Sequence, residues 1–445
     1  MKHLFTFYLA AITITSYAQN TPSLQAQKCF GGTSYDMPYS MSQTKDGGYI
    51  VAGQSSSTDG DVSGHHGSSM WADYWILKLN AKGAIQWQKS LGGTSYDFAF
   101  NIKQTSDGGY IVAGESASAD GDVSGNHGGV DAWIVKLNAS GNIQWEKDLG
   151  GSLDDVANSI QQTSDGNYIF AGSTYSNDGD VSGNHGSDGS SDSWIVKLDV
   201  SGNILWQKCL GGTGHDGAGS IEQTSDGGYI VASSSYSDDG DVSSNNGATD
   251  YWIVKLDASG NIQWQESLGG TGYDDPSSIM QTNDGGYIIA GISFSTDGDV
   301  GSHHGSIGST DCWIIKINAT GKIQWKEVLG GSSWDNAFTI RQTKDGGYIF
   351  AGGSASKDGD VSGHHGSVGT FDTWIVKLNA TGTIQWEESL GGIADDQGVD
   401  ILQTKDGGYI AASSTQSDNG DVSGNHQILR DDYWIVKLSA SGKPA

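Results

Sequence analysis

The chain has 445 residues, with 52 Asp and Glu against 23 Lys and Arg, giving a formal net charge of −29. That surplus opposes approach to nucleic acid and to anionic membrane surfaces, and it suits cation binding or solubility outside the cell. Three cysteines (Cys29, Cys209, Cys312) are too few and too scattered for a disulfide framework, while 68 glycines against four prolines point to turns and strands rather than long helices.

The first element in chain order reads as a leader. Lys2 and His3 precede an apolar run from Leu4 to Ile14, and Ser16-Tyr17-Ala18 supplies a small-x-small cleavage site before Gln19. Residues 1–18 are expected to be a signal peptide, and residues 19–445 a single exported domain, destined for the periplasm, the cell surface or the medium. No cysteine follows the cleavage site, so a lipid anchor is not expected. No later stretch is apolar for long enough to insert in a membrane.

After the leader comes "LQAQKCFGG", residues 24–32, followed by seven copies of one unit. The marker "LGG" begins at Leu91, Leu149, Leu210, Leu268, Leu329 and Leu390, with "FGG" at Phe30, so the period is 58 or 61 residues. Repetition of this kind overrides the two or three domains that length alone suggests. Each copy holds four strand-like runs, a to d. In the copy from residue 91, "FAFNIKQT" turns at "SDGG" into "YIVAGES", a hairpin signal. After an aspartate-rich loop, "AWIVKLN" turns at "ASGN" into "IQWEKDL". Strand b is apolar on both faces and should be covered on both. Strand d alternates, with Ile143, Trp145 and Leu149 opposite Gln144, Glu146 and Asp148, so burial is expected to fall from b towards d. Four antiparallel strands with that gradient make a propeller blade.

The two ends of the chain are complementary. The last copy stops at "YWIVKLSASGKPA", where Pro444 stands at the start of strand d, and residues 24–32 match "IQWQKSLGG" (85–93) in pattern. Pairing the spare first strand with the incomplete last copy removes the edge that an open array would expose. An open solenoid would need distinct capping units, and none is visible. The expected fold is therefore all-β: a seven-bladed β-propeller of four-stranded antiparallel blades, its ring closed by residues 23–32 as the outer strand of the last blade.

"DAWIVKLNASGNIQWEKDLGG" and "DGGYIVAG" also resemble the seven-bladed β-propeller repeat of bacterial secreted and surface proteins, often called SBBP. The resemblance covers essentially all of the mature chain and implies the propeller fold and an extracytoplasmic setting. It does not extend to the long "DGDVSG" insert and implies no ligand.

Tryptophan recurs in strand c (Trp75, Trp133, Trp194, Trp252, Trp313, Trp374, Trp434) and in strand d (Trp87, Trp145, Trp206, Trp264, Trp325, Trp386), with Ala26 at the matching place in the closing strand. Rings at fixed positions of every blade are expected to pack between blades. The Gln-Thr pair that ends strand a should satisfy backbone groups near the axis.

Strand order brings the b–c and d–a loops to one end of every blade. That end gathers the candidate calcium ligands Asp59, Asp61, Asp120, Asp122, Asp178, Asp180, Asp239, Asp241, Asp297, Asp299, Asp358, Asp360 and Asp421, with Asn419 in the last copy. It also receives the d–a aspartates (Asp36, Asp97, Asp155, Asp216, Asp274, Asp335, Asp396) and one aspartate before each strand-c tryptophan. So many carboxylates repel unless something cationic sits among them. In the two 58-residue copies the spacing matches an EF-hand-type calcium loop: Asp120, Asp122, Ser124 and Asp131, and again Asp239, Asp241, Ser243 and Asp250. This spacing is also similar to the aspartate-rich calcium loops of integrin α-subunit propellers. The competing reading is that the aspartates cap loop backbone as Asx-turns with no metal.

A histidine follows six of the seven loops (His66, His127, His185, His304, His365, His426), sometimes doubled. One imidazole per blade does not chelate and neighbouring pairs tend to point apart, so zinc is not expected. Tyr35, Tyr96, Tyr273 and Trp334 share one column of the d–a loops and are candidate sugar-stacking platforms.

Three functions follow. The first is a secreted, non-catalytic binding or scaffold propeller whose acidic rim is ordered by calcium, a monomer with an extracellular protein or glycan as partner. The second is a multivalent carbohydrate binder, and the third a polysaccharide hydrolase or lyase. Catalysis favours an asymmetric constellation, whereas each candidate carboxylate recurs in nearly every blade, and no nucleophile elbow, zinc-binding helix or phosphate loop is present.

Overall fold

The computed structural model describes residues 21–186, 189–305 and 308–440. The leader-like residues 1–18 and Pro444 lie outside them. Seven four-stranded antiparallel sheets follow one another along the chain, each in the order a-b-c-d. Blade 1 is Asp36–Gln43, Tyr49–Ser55, Asp73–Leu79 and Ile85–Leu91, and blades 2 to 6 repeat it with the same lengths. Blade 7 takes three strands from the end of the chain and its fourth from the beginning, Leu24–Phe30 pairing antiparallel with Asp432–Leu438. The ring is closed as the sequence suggests. Side chains lock it further: Trp434 donates to Gln27 at 2.8 Å, and the Tyr433 hydroxyl donates to the Trp75 carbonyl of blade 1 at 3.0 Å.

Each hydrophobic cluster is shared by two neighbouring blades, so no blade has a core of its own. The strand-c tryptophans are fully buried. The strand-d tryptophans lean on the strand-b tyrosine of the next blade, as Trp87 on Tyr110 (5.7 Å between centroids) and Trp145 on Tyr168 (5.8 Å). At the closing seam Ala26 offers no such ring, and a cavity of 320 Å³ opens there beside Tyr49 and Gly83.

Burial does not simply fall from b to d. Strands b and c are both almost wholly buried, while a and d are each partly open. Strand d faces outer solvent. Strand a lines the axis, where seven blades cannot meet at a point and leave an internal cavity of 220 Å³.

The lining of that cavity breaks the repeat. At the seventh residue of strand a the blades carry Ser42, Lys103, Gln161, Glu222, Met280, Arg341 and Leu402 in turn. Core positions are held alike in each blade by the same packing demand, and the axis is where that demand is absent.

Candidate binding face

The b–c and d–a loops do share one face, and the aspartates weld them together. Within blade 1 the Asp61 amide donates to the Gly31 carbonyl at 2.8 Å. Asp59 accepts from the Thr33 amide at 2.8 Å and from the Thr33 hydroxyl at 2.9 Å. Asp120 does the same for Thr94 and Asp239 for Thr213, as does Asp297 for Thr271. Asp178 and Asp358 take the amides of Ser152 and Ser332, and Asn419 that of Ile393. The glycine between the two aspartates is required by this fit. Gly60 has φ +64°, and a Cβ there would stand 2.3 Å from the Gly31 carbonyl oxygen.

The second aspartate looks across the blade boundary. His66 binds Asp73 of its own blade through Nδ1 (2.9 Å), and its Nε2 lies 3.7 Å from Asp122 of the next blade. His185, His304, His365 and His426 repeat the bridge to Asp241, Asp360, Asp421 and, across the closing seam, Asp61. Asp299 has no such bridge, because blade 4 carries Asn246 where the histidine would stand. Its charge instead joins that of Asp274 in adding to burial, and together they push Asp250 up to about 6. The doubled histidines do not diverge as expected: His65 and His66 both turn to Asp73, and His303 and His304 both to Asp311.

Beneath these lie two buried carboxylates per boundary. Asp97, at the start of strand a, accepts from Ser116, Ser118 and the Gly93 amide. Burial, only partly offset by those bonds, pushes its carboxyl up to about 6, and that of Asp36 to about 7. The strand-c aspartates Asp73, Asp131, Asp192, Asp250, Asp311, Asp372 and Asp432 each keep one carboxylate oxygen buried and without a hydrogen-bond partner. The two carboxylates converge on a glycine: a Cβ on Gly150 would lie 2.4 Å from Asp131 and 2.6 Å from Asp155. Blade 2 adds Asp148, where other blades have Ser90, Ser267 or Ser389. Both its oxygens are buried and unpartnered, and burial, then the charges of Asp131 and Glu146, push it up to about 9.

The calcium-loop spacing does not translate into a shared centre. Asp120 is tied to Thr94, Ser124 to Glu146 and Asp131 to His127. Likewise Asp239 is held by Thr213, the Ser243 amide by Gln265, and Asp250 by the Asn246 amide. The candidate ligands of the other blades are spread in the same way. Asp59, Asp178, Asp297 and Asp358 cap d–a loops, as described above. The backbone amides of Asp61, Asp180, Asp299, Asp360 and Asp421 donate to the carbonyls of Gly31, Gly150, Gly269, Gly330 and Gly391. In blade 5 the Lys326 ammonium also donates to the Asp299 carbonyl, so the backbone oxygen of that residue is taken as well. Among the described residues no three His, Cys, Asp or Glu side chains are grouped so as to hold a metal ion. The 12-residue register places the ligands correctly along the chain, but the loop is pulled flat onto its neighbours. Nor are these simple Asx-turns, since the first aspartate caps a different loop.

Aromatic rings crown the same face. Tyr273 and Trp334, from the d–a column, are 48% and 47% exposed. Between them stands a second column that the sequence reading passed over, the first residue after strand b: Tyr175, Tyr236 and Phe294. The two columns sit side by side because the amide of one donates to the carbonyl of the other, as Phe294 to Tyr273 at 2.9 Å. The result is one continuous arc over blades 3 to 6. Tyr175, His215, Tyr236, Tyr273, Phe294 and Trp334 follow one another at 5.9, 6.3, 6.1, 6.2 and 5.9 Å between centroids. Tyr35 and Tyr96 belong to a separate patch. They line a hollow of 310 Å³ with Met70 and Trp71, and Arg430 lies over Tyr35 at 4.1 Å.

No family model matches the chain. Among curated proteins it is similar to the regulatory protein FlaEY of Caulobacter vibrioides, 27% identical over 201 residues, which is 43% of this chain and 21% of that protein. The chain thus spans about a fifth of that relative's length. Among solved structures it is similar to the WD40 domain of Neurospora crassa Pan2 (10% identity, 93% of this chain and 90% of that one, TM-score 0.48). It is also similar to a protein of unknown function from Dyadobacter fermentans (11% identity, 94% and 99%, TM-score 0.45). The fold assignment rests on the strand pairing itself.

Proposed function

We propose that the protein is a non-catalytic binding propeller that takes carbohydrate on the aromatic arc of its loop face. The observation that carries this reading is the unbroken run of rings from Tyr175 to Trp334, exposed but for the half-buried Phe294, on a face otherwise made of carboxylates and hydroxyls. Exposed aromatic patches rimmed by polar groups are interaction sites. A sugar suits this one because its C–H face stacks on a ring while its hydroxyls donate to neighbouring carboxylates. A net charge of −29 disfavours nucleic acid as the alternative occupant. Apart from Asp148, which stands in blade 2 alone, the buried carboxylates at the blade boundaries recur from blade to blade, which supports a binding rather than a hydrolytic role. Export, suggested by the leader-like first 18 residues, would place the face where polysaccharide is met. A glycan array probed with the purified protein should report a restricted set of glycans; silence across the array overturns the reading.

A second reading keeps calcium on this face at the blade boundaries rather than in the 12-residue register. It is favoured by the strand-c carboxylate oxygens that lack partners. Melting the protein at pH 8 with calcium and then with chelator tests it. A bound ion raises the midpoint by linkage, and an unchanged midpoint removes the ion.

A further inference from the structure

The cavity on the propeller axis is lined by four charged residues, Lys103, Glu222, Arg341 and Asp400. Arg341 is committed to the wall: its side chain donates to Asp400 at 2.8 Å and to the Ile401 carbonyl at 2.9 Å. Asp400 also accepts the Met41 amide at 2.9 Å, which joins blade 7 to blade 1. Glu222 accepts the Gln281 amide. Lys103 differs from all three. Its ammonium lines the cavity and makes no hydrogen bond or ion pair with any described residue. The next blade adds a second idle donor, the buried side-chain amide nitrogen of Gln161, which also has no partner.

An ammonium enclosed without an acceptor is costly, and so is a buried amide donor. Partial enclosure, followed by the nearby Arg341 charge, outweighs the attraction of Asp400 and Glu222 and pushes the Lys103 ammonium down to about 8. Two adjacent blades present donors without a hydrogen-bond partner here, while the carboxylates of Glu222 and Asp400 line the same cavity and are already bonded to Gln281 and to Arg341 and Met41. Phe100 and Phe338 line the same cavity and give it an apolar part. An occupant that answers both features brings acceptor oxygens to Lys103 and Gln161 and an apolar body to the rings. We infer that the axial cavity is a binding site for a small organic carboxylate, with Lys103 and Gln161 holding the carboxylate and Phe100 and Phe338 its hydrocarbon part. The volume of 220 Å³ limits the ligand to a small molecule. This site is separate from the aromatic arc and stands or falls without it.

The test is calorimetric titration of the whole protein with sodium benzoate, with sodium phosphate, and with benzyl alcohol, each against sodium chloride at equal ionic strength. Saturable binding of benzoate is expected, with phosphate and benzyl alcohol weaker by tenfold or more. Lys103→Met should weaken benzoate at least tenfold, about the worth of one charge-assisted hydrogen bond. Its melting point without ligand should be unchanged or higher, because an unpaired cation has been removed. Gln161→Leu should weaken benzoate by a smaller factor, and it decides the matter if the Lys103 variant does not fold. The proposal is overturned if benzoate shows no saturable binding, or if neither variant weakens it. Equal binding of benzyl alcohol overturns the role of the ammonium, and Lys103-dependent binding of phosphate alone overturns the organic ligand.

Discussion

The two faces of the ring both carry aspartates that repeat from blade to blade, several times more of them on the loop face, and treat them in opposite ways. On the turn face, the aspartate of every a–b turn meets a strand-c lysine, buried in all blades but the seventh. Lys78, Lys136, Lys197, Lys255, Lys316, Lys377 and Lys437 lie 2.9–3.2 Å from Asp46, Asp107, Asp165, Asp226, Asp284, Asp345 and Asp406. The Thr44 hydroxyl above all, then the Gly48 amide and Lys78, hold Asp46 down at about 2 despite some burial. On the loop face the carboxylates are buried against one another, with histidines as the recurring basic side chains beside them. Protonation of these buried strand-a and strand-c carboxyls is favoured, whereas the exposed Asp59, Asp178, Asp239 and Asp358 are held down by the amides of Thr33, Ser152, Thr213 and Ser332. Exposed aromatic rings gather on the loop face too, and among the described residues none stands on the turn face. A face whose charges are settled within each blade is scaffold, and one left with unsettled charge and bare rings is available to a ligand.

The largest effect expected from breaking this contrast is at Asp148. Asp148→Ser, which copies blades 1, 4 and 6, should raise stability at pH 7 by about 2 kcal/mol, because it removes a buried carboxyl with no partner. Denaturant unfolding checks it, and the gain should vanish as pH falls to about 4. On the turn face the sign reverses. Lys136→Met removes bonds to Asp107, Gln144 and the Leu137 carbonyl. It should cost about 1–2 kcal/mol, discounted because Asp107 is half exposed and rehydrates.

The pH profile of the wild-type protein joins the two. Carboxyls raised to about 6 or 7, such as Asp97 and Asp36, contribute stability that is full below the ordinary carboxylate range and lost as pH rises through 6 to 7. His185 and His426, held up by Asp192 and Asp432 against the cost of burial, act in the same direction. Turn-face carboxyls held at about 2, such as Asp46 and Asp406, contribute stability that is lost only as pH falls through that value. The melting temperature should therefore peak at about pH 4–5 and decline on both sides. A flat profile from 4 to 8 would remove the contrast. The smallest effect expected is at a loop-face boundary, where Asp131→Asn should be neutral or stabilising by less than about 1 kcal/mol at pH 8.

The repeat made the blades, the turns and the ring closure legible, because Trp, "DGG" and "LGG" recur wherever packing and turn geometry recur. The aromatic arc was half legible. Tyr273 and Trp334 stood in a column that invited comparison, whereas Tyr175, Tyr236 and Phe294 followed strand b as ordinary loop residues. Only the rotation between blades sets the two columns edge to edge. Lys103 and Glu222 were not legible at all, since a position that varies in every copy gives no signal until strand a is known to line the axis. The "DGDVSG" loop was legible as a run of oxygen-bearing residues but not in how those residues are arranged. Ligand spacing along a chain predicts a metal centre only if the loop closes on itself, and here it spreads across Gly31, Thr33 and their equivalents.

The central claim is that the loop face binds through its rings. The direct measurement is a glycan array run in parallel on wild type, on Tyr273→Ala/Trp334→Ala, and on Val200→Ser, which alters an exposed apolar residue of the turn face. Glycan signal lost in the double variant and kept in Val200→Ser is the predicted result. Signal unchanged in the double variant would contradict it.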